Sequence, residues 1–250
     1  MTPGTAFATE RVVAAFDFDG TLTRRDTLLP FLARGLGWPQ FVGAIMACLP
    51  WLAGHALRLV PNHVAKQKLM RVALKGRSTQ EMDDWTTRWL ANDFSGQLRE
   101  WTLARLAWHQ QAGHCCVMVS ASPDIYLERV ARQLGFDDLI CTEMEVTNGH
   151  MTGWMRTPNC YGEQKVVRLT AWIEARFGLG SASAVTLYAY GDTAGDKPML
   201  RMAGRAWYRG EVFDSSQVRS LARMDVKPFQ SCDALSQWSE VQVCHGSGWQ

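Results

Sequence analysis

The chain of 250 residues lacks the marks of several protein classes. Its seven cysteines, Cys48, Cys115, Cys116, Cys141, Cys160, Cys232 and Cys244, are odd in number and form no C-x-x-C pair. Several stand in apolar runs, where a thiol acts as a small hydrophobe. This argues against a disulfide framework or a cysteine zinc site and for a reducing compartment, so the cytoplasm is the expected location. The six histidines show no ligand spacing. A net charge of only +2 speaks against a whole-chain polyanion binder, and no nucleic-acid partner is expected. The opening stretch MTPGTAFATERVV has no basic segment leading into an apolar one, so no signal peptide is expected. Hydrophobic residues are 47% and charged residues 20%, which excludes wholesale disorder. The length suits one large domain, or a domain with an insertion, with a substantial core.

A second absence is local. Residues 27–80 contain no Asp or Glu but seven basic residues: Arg34, Arg58, Lys66, Lys68, Arg71, Lys75 and Arg77. That stretch carries +7, and the remainder carries 19 basic against 24 acidic residues, or −5. Six of the 11 tryptophans lie between Trp38 and Trp108. Phe41 to Leu57 is 17 residues without a charge, short of the ~20 a spanning helix needs and interrupted by Pro50 and His55. A buried or cap helix is the expectation, with a helix lying on a membrane surface as the alternative. The basic stretch is either an ordinary solvated face or a surface for anionic headgroups.

Val12 to Phe16 is a continuous apolar run, as in a strand buried on both faces of a parallel sheet. Cys115–Val119, ending at Ser120, and Leu139–Thr142 read the same way, as does Val185–Tyr190, ending in Gly191-Asp192. Pro123 at N1 opens a helix to about Leu134, residues 162–177 form another, and a short helix from about Lys197 precedes a strand near 206–208. Asn148-Gly149 inside alternating residues predicts a hairpin over Met144–Trp154. This alternation predicts an α/β fold with a parallel sheet. Residues 28–111 read as mostly helical, with breaks near 35–39, 61–62 and 76–78 and a capping box at Ser78–Glu81. They are too long for a crossover of ~12 residues, so they form a helical insertion. Residues after about 213 carry no periodic signal.

In open α/β sheets ligands bind beyond the carboxyl ends of the strands. Asp17 and Asp19, Ser120, and Asp192 with Asp196 stand at such ends, and Lys165 starts a helix between them. Converging carboxylates repel unless a cation sits among them, and Mg²⁺ would make a hard oxygen site. One carboxylate could then attack phosphorus while a second exchanges protons. A hydroxyl and an ammonium would neutralise phosphoryl oxygens.

Asp17-Phe-Asp-Gly-Thr-Leu-Thr, Val117-Met-Val-Ser120, Lys165 and Gly191-Asp192-Thr-Ala-Gly-Asp196 resemble, in order and spacing, the four motifs of haloacid dehalogenase-type (HAD) phosphatases. Val119–Tyr126 and Asn159–Lys165 resemble the phosphoserine-phosphatase-like branch, subfamily IB. The resemblance implies a Rossmann-like core (residues 1–29 and 112–213) with an inserted all-helical cap of type C1 (30–111) and an extension of unknown role (214–250). It implies Asp17 as nucleophile and Mg²⁺ ligand, and Asp19 as general acid/base with its carbonyl on the metal. Ser120, Lys165 and the N–H groups of Phe18 and Ala121 would bind phosphate. Asp192 would ligate Mg²⁺, with Asp196 supporting the metal or orienting Lys165. Asp26 stands where phosphoserine phosphatases commonly carry a Glu that reads the substrate amine.

Simpler readings run beside these. Asp196 could be a plain N-cap, Asp26 a cap of the next helix, and Ser122 a local cap rather than a substrate contact. The expected function is a Mg²⁺-dependent phosphatase acting through an aspartyl-phosphate. The basic, apolar, Trp-bearing insertion leans towards a lipid or amphiphilic phosphate such as phosphatidylglycerophosphate, which a related enzyme of this branch hydrolyses. Peripheral contact at the inner face of the membrane would then accompany it. The alternatives are a soluble metabolite such as phosphoserine or histidinol phosphate, or a non-catalytic binding module.

Overall fold

The computed structural model describes residues 11–213. The expected 214–250 extension, with Cys232 and Cys244, lies outside the described residues, as do residues 1–10. Strand β1 (Val12–Phe16) is followed by five helices: α1 (Leu28–Leu36), α2 (Trp38–Ala56), α3 (Asn62–Leu74), α4 (Thr79–Trp89) and α5 (Glu100–Gln111). Then come β2 (Cys115–Pro123), α6 (Asp124–Gln133), β3 (Asp138–Thr142), β4 (Met144–Thr147) and β5 (His150–Met155). The described residues end with α7 (Glu163–Phe177), β6 (Thr186–Gly191), α8 (Lys197–Met202), β7 (Arg205–Tyr208) and β8 (Glu211–Val212).

The main sheet runs β3-β2-β1-β6-β7-β8, parallel except for the last pair. Period-2 alternation explains why β1 is apolar throughout. Val13 and Ala15 pack with Leu169 and Ile173 of α7 and Met199 and Leu200 of α8. Ala14 and Phe16 join Leu106 of α5 and Tyr126 and Val130 of α6 on the other face. Phe16 also stacks on Tyr190 with ring centroids 4.3 Å apart. The chain leaves β1 towards β2 on one side and returns to β6 on the other. The carboxyl ends of these three strands therefore open at a topological switch point.

The architecture is the expected Rossmann-like parallel core with helices inserted between its first two strands. The breaks at Gly37, Pro61 and residues 75–78 match expectation, and Ser78 and Glu81 cap α4 reciprocally. Four details differ. α2 runs through Pro50 to Ala56, so neither Pro50 nor His55 interrupts it. Pro50 lies on the exposed side of α2, where water can solvate the carbonyl left without its N–H partner. β2 continues past Ser120 to Pro123, which is the N-cap of α6 rather than its first residue. A π-turn at Leu90–Phe94 and a 3₁₀ turn at Ser95–Gln97 separate α4 from α5. The expected boundary at 29/30 falls within the first turn of α1.

Asn148 (φ 50°) and Gly149 (φ 73°) make the β4–β5 turn, both in the left-handed region that hairpin turns of this length require. This hairpin is fastened to the insertion. Gln67 of α3 donates to the Gly153 carbonyl at 2.6 Å and accepts from Met155 N–H at 2.9 Å. Gly76 N–H donates to Met151 and Met151 N–H to Arg77, each at 2.8 Å. No helix among the described residues is long and apolar enough to cross a membrane.

Candidate active site

Asp17 directly follows β1, and its N–H donates to the Tyr190 carbonyl of β6 at 2.9 Å. The buried Lys165 ammonium reaches across from the first turn of α7. It donates to Asp17 Oδ1 and Asp196 Oδ1 at 2.6 Å each, and to the Val119 carbonyl of β2 at 2.8 Å. Three donors meet three acceptors, which is what burying an ammonium requires. A cation so near a helix N-terminus opposes the helix dipole, and these carboxylates offset that. Burial disfavours the charge of Lys165, but Asp17 and Asp196 outweigh it and raise its pKa.

One carboxylate oxygen each of Asp17, Asp192 and Asp196 lie within 4.8 Å of one another. Thr21 Oγ1 bridges two of them, donating to Asp17 Oδ2 (3.0 Å) and Asp192 Oδ1 (3.3 Å). Burial, and then the charge of Asp196, push Asp17 well above the usual carboxylate range, and Lys165 offsets this only in part. Asp192 is raised by the same two causes in the same order. The cluster thus carries more negative charge than its one ammonium balances. An all-oxygen set short of positive charge fits a hard divalent cation such as Mg²⁺. Gly20 (φ +80°) keeps the loop clear, because a Cβ there would stand 2.1 Å from Asp192 Oδ2.

Both carboxylate oxygens of Asp196 already have hydrogen-bond partners. Its Oδ2 accepts from Asp192 N–H (3.2 Å), Thr193 N–H (2.8 Å) and Thr193 Oγ1 (2.7 Å), and its Oδ1 from Lys165. It stands at the N-cap position of α8 but makes no side-chain cap bond there.

Asp19 lies outside the carboxylate cluster. Its Oδ1 accepts from Thr27 N–H and Thr27 Oγ1, both at 2.7 Å, and its Oδ2 from Ser122 Oγ. Burial, and then the charge of Asp26, raise its pKa to about 6, against the pull of those hydrogen bonds. Thr27 in turn meets the buried Tyr126 hydroxyl at 3.0 Å. Ser120 Oγ accepts from Ser122 N–H at 3.0 Å. The Ser122 hydroxyl therefore holds Asp19 rather than capping α6. Asp26 is exposed, and its Oδ1 accepts from Leu28 N–H at the start of α1. Phe18 is buried against Phe94 and Tyr126, and the Ala121 carbonyl accepts from Thr142 Oγ1 at 2.7 Å.

Sequence reasoning missed Thr21, Thr27, Tyr126, Thr193 and Lys66. Lys66 reaches in from α3, donating to the Ala121 carbonyl and to Asn159 Oδ1 (3.1 Å). Burial lowers its pKa to about 8, against the pull of Asp19 and Asp26. A signal existed: Lys66, Met70 and Ala73 share the helix period of the buried face of α3. Beside Lys66 lies a cavity of about 890 Å³ whose lining includes Pro61, Val64, Trp154, Met155, Asn159 and Tyr161.

The chain is similar to several known proteins. Protein CicA of Caulobacter vibrioides is 33% identical over 202 residues, 80% of this chain and 86% of that protein. A Mycobacterium tuberculosis protein named as a probable phosphatase is 26% identical over 226 residues, covering 82% and 71%. A Bordetella pertussis protein of unknown function has a similar fold, with TM-score 0.69, 24% identity and 79% and 89% coverage. So does a substrate-bound phosphoserine phosphatase, with TM-score 0.57, 20% identity and 80% and 86% coverage. Residues 14–201 match the haloacid dehalogenase-like hydrolase family, and the chain belongs to that family.

Proposed function

We propose that this chain is a phosphatase that hydrolyses a phosphate monoester through a phosphoenzyme on Asp17. The observation that carries the reading is the placement of Asp17 between the Lys165 ammonium and the Asp192 carboxylate, with Asp19 held at the same strand end. A carboxylate of Asp17 forms the bond to phosphorus as the bond to the leaving oxygen breaks. Asp19, protonated, gives its proton to that oxygen. As a carboxylate it then takes a proton from the water that cleaves the acyl phosphate and releases phosphate. A pKa near 6 serves both directions. Thr27 and Ser122 fix its orientation. Ser120, Lys165 and the N–H groups of Phe18 and Ala121 hold the phosphoryl oxygens.

Asp17, Asp192 and the Asp19 carbonyl, with Asp196 behind them, would hold Mg²⁺, which supplies charge neutralisation for the phosphoryl group. Asp196 serves chiefly to aim Lys165 and pin the Asp192 loop. Residues 30–111 act as a cap that supplies Lys66 to the leaving-group side.

For substrate we favour a lipid or amphiphilic phosphate, because Pro61, Val64, Trp154, Met155 and Tyr161 give the cavity near Lys66 apolar surface among its polar lining residues. The polar part of the same lining, with Asn62, Gln67, Arg156 and Gln164, favours a second reading, a soluble polar metabolite. The test is phosphate release with Mg²⁺ from a matched panel. Phosphoserine, histidinol phosphate and sugar phosphates stand on one side, phosphatidylglycerophosphate and lysophosphatidate in mixed micelles on the other. Preference for the lipids supports the first reading. Preference for a soluble phosphate replaces it with the second, and no turnover on either side removes the phosphatase reading.

A further inference from the structure

Helix α2 is unusual in what it leaves outside. Its buried contacts come from Ala44 and Cys48, with Phe41, Ile45 and Leu52 half-buried. The opposite side exposes Trp38 (70%), Val42, Met46 (61%), Leu49 and, just past its end, Leu57 (70%). Steps of four, four and three place Trp38, Val42, Met46 and Leu49 on one stripe. The exposed positions between them are Pro39, Gln40, Gly43, Ala47, Pro50, Ala53, His55 and Ala56, so this surface carries no formal charge with its histidine neutral. A contiguous apolar face of this kind marks an interaction site.

Its border is positive. Of the seven basic residues in the acid-free stretch, Arg34 pairs with Asp93 and Arg77 with Glu81. Lys66 turns inward. Arg58, Lys68, Arg71 and Lys75 have no ion pair among the described residues. Lys68 packs over Trp51 of α2 with its Nζ 4.2 Å from the ring centroid, which sets this cation beside the apolar helix, while Arg71 stacks over Trp154 of β5 at 4.4 Å. Val64, Lys68, Val72 and Lys75 share one face of α3. The start of α3, Pro61–Val64, also lines the cavity near Lys66.

We infer that the exposed face of α2, flanked by Arg58, Lys68, Arg71 and Lys75, docks on an anionic lipid bilayer. The apolar side chains enter the interface and the unpaired cations meet headgroup phosphates. A second copy of the chain would present the same four cations, and like charges would face each other across that contact. An anionic surface complements both parts of the face. Docking by α2 engages the cap next to the Pro61–Val64 segment that lines the cavity. The inference rests for its purpose on the amphiphilic-substrate reading, but its test is a binding measurement that needs no turnover.

The full chain is sedimented with vesicles of phosphatidylcholine alone or mixed with phosphatidylglycerol, at low and high salt. It should bind the mixed vesicles only, and less as salt rises. Val42→Gln/Met46→Gln/Leu49→Gln should weaken binding at least about tenfold, with the circular dichroism spectrum and turnover of p-nitrophenyl phosphate unchanged. Lys68→Gln with Lys75→Gln should weaken it about fivefold per charge removed. Three results overturn the inference: no sedimentation with anionic vesicles, binding that both variants leave untouched, or a concentration-dependent dimer that the apolar triple variant dissolves. Vesicle binding with no hydrolysis of lipid phosphates would support the docking while removing the substrate reading.

Discussion

The core and the cap treat charge in opposite ways. In the core, Lys165 is buried and each of its three protons has an acceptor, two of them carboxylates. In the cap, Arg58, Lys68, Arg71 and Lys75 stand outside any ion pair among the described residues, beside a helix without a charged side chain. Burying an ion is costly unless its partners are fixed in advance, so the core arrangement is preorganised for chemistry. A cation outside any ion pair leaves its charge available to an external anion, even where its stem packs on a ring as Lys68 does on Trp51 and Arg71 on Trp154. On the proposed reading, turnover belongs to the first region and recruitment of substrate to the second.

The largest effect that can break this division lies at Asp17. Asp17→Asn should lower Mg²⁺-dependent phosphate release by on the order of 10⁴-fold or more, with an unchanged circular dichroism spectrum. Asp19→Asn should lose roughly 10²–10⁴-fold, read as kcat on the best panel substrate. A near-wild-type rate for either variant would move the chemistry elsewhere.

A smaller effect comes from a buried histidine of α5, on the side that packs against the sheet. His109 is enclosed beside Tyr190, whose hydroxyl lies 2.9 Å from its Nε2. Burial, with the nearby His114 and Arg105, lowers its pKa to about 3. The unfolded imidazole titrates near ~6.5, so between these values the unfolded chain binds the extra proton. Stability should therefore fall as pH drops below ~6.5, by roughly 2 kcal/mol at pH 5. Asp124, pushed up to about 6 chiefly by burial, acts in the opposite sense, so the comparison of variants matters. Urea unfolding of His109→Gln should show that much less acid sensitivity than the natural chain. An identical acid slope would contradict the assignment.

Effects in the cap should be smaller and of another kind. Lys66→Met should raise KM about tenfold with kcat nearly unchanged, the size of one lost charge-assisted hydrogen bond. In the natural chain KM should rise as pH passes about 8, where Lys66 loses its charge, and the variant should lack that limb. Smallest is the stability cost of Met46→Gln, within about 0.5 kcal/mol for an exposed site. The buried Leu69→Ala on neighbouring α3 should cost about 2–5 kcal/mol by chemical denaturation.

The same division governs how much was legible in sequence. Strand ends carrying Asp17 and Asp192 were readable because apolar runs stop abruptly at polar residues, whereas β2 runs on past Ser120 to Pro123. Lys165 was readable because a cation in a first helical turn calls for an anion. Thr27 meeting Tyr126, 99 positions away, left no local trace. Neither did the fastening of Gln67 to the β4–β5 hairpin, which depends on how two distant elements pack. The tryptophan bias of residues 38–108 proved divided: Trp85 and Trp89 fill the interior of the cap while Trp38 is exposed. Composition counts side chains and cannot tell which way they face. Pro50 shows the same limit, since the packing of α2 against α1 and α3 overrides a residue that disfavours helix.

The central claim is that Asp17 carries the phosphoryl group. Turnover of a ³²P-labelled substrate, quenched in acid and mapped by peptide, tests it most directly. The account predicts label on the Asp17 peptide, released by hydroxylamine as an acyl phosphate should be, and absent from Asp17→Asn. Active turnover with no label at Asp17, or label retained by the Asn variant, would contradict it.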